Sequence, residues 1–193
     1  DRDGSPLGAS TTHLYDILPW ESVGTATMQT KSGLPLVLGS IYCVSVRWIN
    51  NARRVSQATS DSVMADDTVP VVGYVHDGPG SGPTTDIDYQ SDGVTIRAHW
   101  GLWFDPESLV EYYAWCISTT LPSSMPGYSG NPAGVCDVRG LTNIGNVTSI
   151  SHTFASGVLQ HDREYYVTLV AVNRATIRSW KNTDGVVVDL TPP

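Results

Sequence analysis

A stretch of this sequence occurs twice. Residues 36–70 written over residues 159–193 align without a gap at an offset of 123. Identities fall at Leu36/Leu159, Tyr42/Tyr165, Val44/Val167, Asn50/Asn173, Ala52/Ala175, Ser56/Ser179, Asp61/Asp184, Val63/Val186, Asp66/Asp189, Thr68/Thr191 and Pro70/Pro193. Thr25/Thr148 and Thr30/Thr153 carry the same register towards the N-terminus. Self-similarity at a fixed period marks a repeat architecture, in which one supersecondary unit recurs.

The repeated unit reads as strands. Tyr165, Val167, Leu169 and Ala171 alternate with their neighbours at period two, which places them on one face, and Tyr42, Val44, Val46 and Trp48 are their counterparts. A second β-branched run over residues 185–189 follows a polar turn and stops at Thr191-Pro192-Pro193. Proline cannot donate to a ladder and so belongs at a strand end or a module boundary.

These residues resemble a known family. Leu159 followed by Glu164-Tyr165-Tyr166-Val167-Thr168-Leu169-Val170-Ala171-Val172-Asn173 is similar to the E–F corner and strand F of a fibronectin type III module, and Leu36 and Tyr42 repeat the spacing. The resemblance implies an all-β Greek-key sandwich in which Tyr42 and Tyr165 are corner tyrosines, with hydroxyls bonded to nearby backbone. It implies strand B over residues 94–100 and strand C over residues 113–117. The sequence departs from the family in a long insert at residues 121–134, after strand C, and in His161-Asp162 at the corner where Pro-Gly is usual.

Two modules are therefore expected. Residues 71–193 hold candidates for every strand, with residues 71–75 as strand A and the Gly/Pro-rich residues 78–83 as an A–B loop. Residues 1–70 supply only E, F and G, over residues 23–28, 42–50 and 61–66. Without A, B and C the inner face of the first module would meet water. The chain thus reads as a window onto a longer array, or as a sandwich that a neighbour completes by donating strands.

Cys116 sits on strand C with outward parity, since Tyr113, Trp115 and Ile117 take the opposite face, and Cys136 follows the insert, where a C′ strand would begin. A Cys116–Cys136 disulfide would close the insert and stabilise the fold by roughly 3 kcal/mol. The alternative is two thiols. Cys43 is either free or paired outside its half-module. No C-x-x-C pair or His partner points to a metal. Asn146-Val147-Thr148 is an N-glycosylation sequon, which has meaning only in a secreted protein. In the insert, Met125 and Tyr128 are candidates for an interaction loop, because long loops on rigid sandwiches carry contacts. Trp103, Phe104 and Trp180 either cap the core or join such an interface.

The formal net charge is −8, with 11 basic and 19 acidic residues, which argues against a non-specific nucleic-acid partner. No apolar run reaches membrane-spanning length. The five histidines are scattered, Ser129 lacks the second glycine of a nucleophile elbow, and Asp1-Arg2-Asp3-Gly4 has no glutamate at the twelfth position of a calcium loop. Asp86, Asp88 and Asp92 are either a cation site or solvated turn acids. No enzyme activity and no cofactor are expected. The expected role is a structural or adhesive extracellular segment, a spacer or protein-interaction module of a cell-surface or filament-forming protein. Its partners would be other modules of the same chain, other proteins or further copies of itself. A ligand-binding ectodomain and an accessory module of a secreted enzyme are the alternatives.

Overall fold

The computed structural model describes residues 17–121 and 136–192. Met125, Tyr128, Ser129 and the Asp1–Gly4 motif lie outside the described residues. All the regular structure in the described residues is β. The first repeat contributes β1 (Ile41–Tyr42), β2 (Ser45–Ile49), β3 (Val55–Thr59) and β4 (Val63–Met64). The rest of the chain contributes β5 (Tyr74–Asp77), β6 (Tyr89–Gln90), β7 (Thr95–Gly101), β8 (Val110–Ser118), β9 (Arg139–Gly145), β10 (Ser149–Thr153), β11 (Arg163–Asn173), β12 (Arg178–Asn182) and β13 (Val186–Val188).

From β5 onward two sheets enclose one core, an arrangement consistent with a β-sandwich. One sheet runs β10-β7-β5, and the other β6-β13-β11-β8-β9, with β12 also paired to β11. Alternation explains the core. Ile96, Ala98 and Trp100 of β7 face Tyr113, Trp115 and Ile117 of β8 and Tyr165, Val167, Leu169 and Ala171 of β11. Trp100 and Tyr113 meet edge to face, with ring centroids 5.6 Å apart.

The opposite parity of Cys116 holds, but its face is not open to solvent. Cys116 is buried on that face, where Ala114, Val170 and Val172 form a second cluster with Tyr112, Leu141 and Trp180. The disulfide to Cys136 spans a Cα–Cα distance of 5.7 Å.

The N-terminal strand of the sandwich starts later than residues 71–75 suggest. Val71 and Val72 stay exposed, and Val71 makes only an isolated bridge to Phe104. The backbone nears β7 at Gly73, where a Cβ would collide with the Gly101 carbonyl and the Leu102 backbone, and the ladder begins beyond it at Tyr74.

The two copies of the repeat fold alike, bond for bond. Tyr42 pairs with Val63 as Tyr165 pairs with Val186. The register of β2 on β3, from Ser45↔Thr59 to Ile49↔Val55, is that of β11 on β12, from Thr168↔Asn182 to Val172↔Arg178. The breaks also match: Val44 N–H donates to Ser60 Oγ at 3.0 Å, and Val167 N–H to Thr183 Oγ1 at 3.0 Å. Arg53 and Thr176, one repeat apart, both adopt positive φ in the hairpin turn, at 58° and 66°.

The copies differ in what covers them. Val167 is fully buried, whereas Val44 is 66% exposed. Val46, Trp48 and Val63 are likewise exposed where Leu169, Ala171 and Val186 are buried. The strand expected at residues 23–28 does not form. Its counterpart in the second repeat, β10, pairs only with β7. The described residues of the first repeat offer no strand equivalent to β7, so the backbone there has no ladder to join. In turn β3, a strand the expectations leave as a turn, forms because β2 supplies its partner.

Candidate functional site

A cluster of polar side chains, half-buried to buried, lies where the first repeat enters the second. It starts from a local turn. Asp66 Oδ1 accepts from the Thr68 N–H at 2.9 Å and the Thr68 hydroxyl at 3.1 Å. A short carboxylate bonding its own backbone two residues on is the usual chemistry of such turns. This leaves Asp66 Oδ2 to face the second repeat. There it accepts from the Ser108 hydroxyl at 2.5 Å and from Asn173 Nδ2 at 2.8 Å.

Asn173 is the hub of the contact. It ends β11 and is fully buried, and its Nδ2 also faces the Thr68 carbonyl at 3.1 Å and Asp105 Oδ2 at 3.0 Å. Its Oδ1 accepts the Ile177 N–H at 2.8 Å, which fixes the amide orientation. Asp105 is buried as well and accepts the Ser108 N–H at 2.7 Å through Oδ1. Thr68 Oγ1 reaches Glu107 Oε2 at 2.9 Å, and the Val71 N–H donates to the Phe104 carbonyl at 2.7 Å.

Burial pushes the Asp66 carboxyl up, but the Ser108 hydroxyl and the Thr68 donors outweigh it and hold the group below its usual range. Charge-assisted bonds of this kind are stronger than neutral ones. Asp66, Asp105 and Glu107 lie close enough to share a cation, with one oxygen of each within 4.8 Å of the others. Asp66 and Asp105 accept at both oxygens, while Glu107 competes with Asp66 for the single proton of the Thr68 hydroxyl.

A second acidic group joins Asp77, Asp86 and Asp184. Asp77 is 1% exposed. Its Oδ2 accepts the Gly185 N–H at 3.2 Å, and its Oδ1 has no hydrogen-bond partner. Gly185 sits in the break between β12 and β13 at φ 112°, where a Cβ would also meet Tyr166 and Glu164. Of the acids singled out in the sequence, only Asp86 joins this group. Asp92 instead caps a turn by accepting the Val94 and Thr95 N–H groups, both at 3.0 Å.

The hydroxyls of Tyr42 and Tyr165 both meet backbone a short way upstream. Tyr42 Oη accepts the Val37 N–H at 2.7 Å, and Tyr165 Oη accepts the Gln160 N–H at 2.8 Å, five residues back in each case. Asp162 takes the positive φ at that corner that glycine usually supplies. Cys43 is an exposed free thiol, and Asn146 is exposed in the turn between β9 and β10. Trp103 caps the core, its Nε1 donating to the Tyr74 carbonyl at 2.9 Å, while Phe104 is exposed and Trp180 packs on the second cluster.

Two histidines pin the Gly/Pro loop at residues 78–83. His76 lies between Asp86 Oδ2 and the Pro83 carbonyl, both at 3.0 Å. His99 lies between the Gly78 and Gly82 carbonyls, both at 3.3 Å. A composition that reads as flexible thus lies against two imidazoles, each of which donates through one N–H when neutral.

Sequence reasoning missed Asn173 and Ser108 as junction residues. The signal was present for one of them: Asn50/Asn173, Asp66/Asp189 and Thr68/Thr191 are polar identities within the repeat, at positions where strand periodicity asks for nothing. No protein-family model matches the chain, and no curated protein matches it significantly.

Proposed function

We propose that this chain is a segment of a tandem array of fibronectin-III-like modules in a secreted or cell-surface protein, where it serves as a spacer and protein-interaction segment. Residues 1–70 are the C-terminal part of one module, and residues 71–193 are the complete module that follows it. The observation that carries this reading is the junction. Asp66 and Thr68 of one repeat are seated on Ser108 and Asn173 of the next by hydrogen bonds of 2.5–3.1 Å. A contact that fixes orientation, at a join of a single proline, suits a spacer more than a flexible tether.

The compartment is supported by the buried Cys116–Cys136 disulfide, since such bonds persist where the environment is oxidising. An exposed sequon at Asn146 fits the same compartment. The acidic composition and the uncovered β1–β4 face favour protein partners, with neighbouring modules first among them. This reading includes no catalysis.

The test is the rigidity of the join. Backbone relaxation of the 15N-labelled chain is expected to give one tumbling time for both repeats, and Asp66→Ala is expected to separate them. Independent tumbling in the unsubstituted chain would rule out the spacer role.

A further inference from the structure

The residues that plug the first repeat into the second occur again at the far end of the second. Asp66 and Thr68 recur as Asp189 and Thr191, and the turn recurs with them. Asp189 Oδ1 accepts from the Thr191 N–H at 2.9 Å and the Thr191 hydroxyl at 2.6 Å, in the geometry of Asp66 and Thr68. The preorganised turn leaves the same atom over. In the first copy, Oδ2 enters the neighbouring socket; in the second, Asp189 stands about half exposed.

The sandwich has little internal use for the Asp189 carboxylate. The nearest cation candidate, His161, stands 3.6 Å from Oδ1, and its Nδ1 already accepts the Leu190 N–H at 3.1 Å. The Thr191 hydroxyl and N–H hold the Asp189 carboxyl below its usual range, so it is presented as an anion. Spacing matches too: Pro193 follows Asp189 at the interval at which Pro70 follows Asp66.

We infer that residues 189–191 form a docking plug for the end of a further β-sandwich of this kind, whose socket presents a side-chain amide and a hydroxyl where this one presents Asn173 and Ser108. The inference rests on the array reading and adds the chemistry of the next contact. The occupant follows from the junction already formed. There an Asp–Thr turn is received by neutral donors beside a buried carboxylate, Asp105, rather than by a lysine or arginine. A basic peptide would pair with Asp189 but would make no use of the Thr191 turn.

The test is a lengthened chain in which a second copy of residues 71–193 follows Pro193 directly, reproducing the Pro70–Val71 join. Every residue of the main core lies between Val75 and Val188, so the added copy brings its whole core with it. Residual dipolar couplings then report the orientation across both joins. The same fixed orientation is expected at each, with Asp189→Ala releasing only the second and Asp66→Ala only the first. A second join that is free, or set at another angle, while the first stays fixed overturns the plug alone. An unchanged second join in Asp189→Ala does the same. Freedom at both joins overturns the array reading as well.

Discussion

At the residue scale, Asp77 ties stability to pH. Burial raises its carboxyl from 3.8 to about 8; the Thr183 and Gly185 donors oppose the shift, and the carboxylates of Asp86 and Asp184 add to it. Between those values the folded chain keeps a proton that the unfolded chain has released. Stability contributed by this group is therefore complete below about pH 4 and is lost as pH rises towards 8. In urea melts from pH 4.5 to 8.5, Asp77→Asn is expected to flatten the decline relative to the parent chain. An equal decline in both would show that Asp77 does not hold the proton. Little of this was legible beforehand, because the burial of Asp77 depends on the break at Gly185, which lies 108 residues away. Tyr42 and Tyr165 were legible, since their partners lie five residues back.

At the scale of elements, one sequence pattern appears in two surroundings. The hairpin of β11 with β12 and β13 and the hairpin of β2 with β3 and of β1 with β4 share a register, yet only the former is covered. Val167→Ala is expected to cost about 2 kcal/mol, from lost burial and the cavity left behind. Val44→Ala, its counterpart, should stay within about 0.5 kcal/mol, as exposed substitutions do. Urea denaturation of the two variants checks this; equal costs would mean that Val44 is buried in solution. The same contrast shows how far the repeat could be read. Register and turn geometry are local and carried over from copy to copy. The strand expected at residues 23–28 was not local, because it required a partner like β7. Residues 71–75 were misjudged for a related reason, since the start of the ladder is set by how closely Gly73 approaches Gly101.

At the scale of the whole molecule, the fold divides into two sheets that enclose a core and a hairpin layer whose apolar side chains are exposed. Composition gave no sign of that division, because the same valines and tryptophans serve both. Parity gave part of it: it separates Cys116 from Tyr113, Trp115 and Ile117, but the face read as outward is itself packed, by Trp180 and Leu141 from other strands. The disulfide has a further consequence when the chain is stretched. Cys116 and Cys136 stand 20 residues apart in sequence. Even after every strand has separated, that span cannot pay out, which withholds about 60–66 Å of contour length, at 3.3–3.6 Å per residue less the 5.7 Å that the bond itself spans. Pulled between its ends in an optical trap, the oxidised chain should extend less on unfolding than the reduced chain by that amount, and equal extensions would mean the bond is absent in solution. An array built of such units would have a reach set by the redox state of its surroundings.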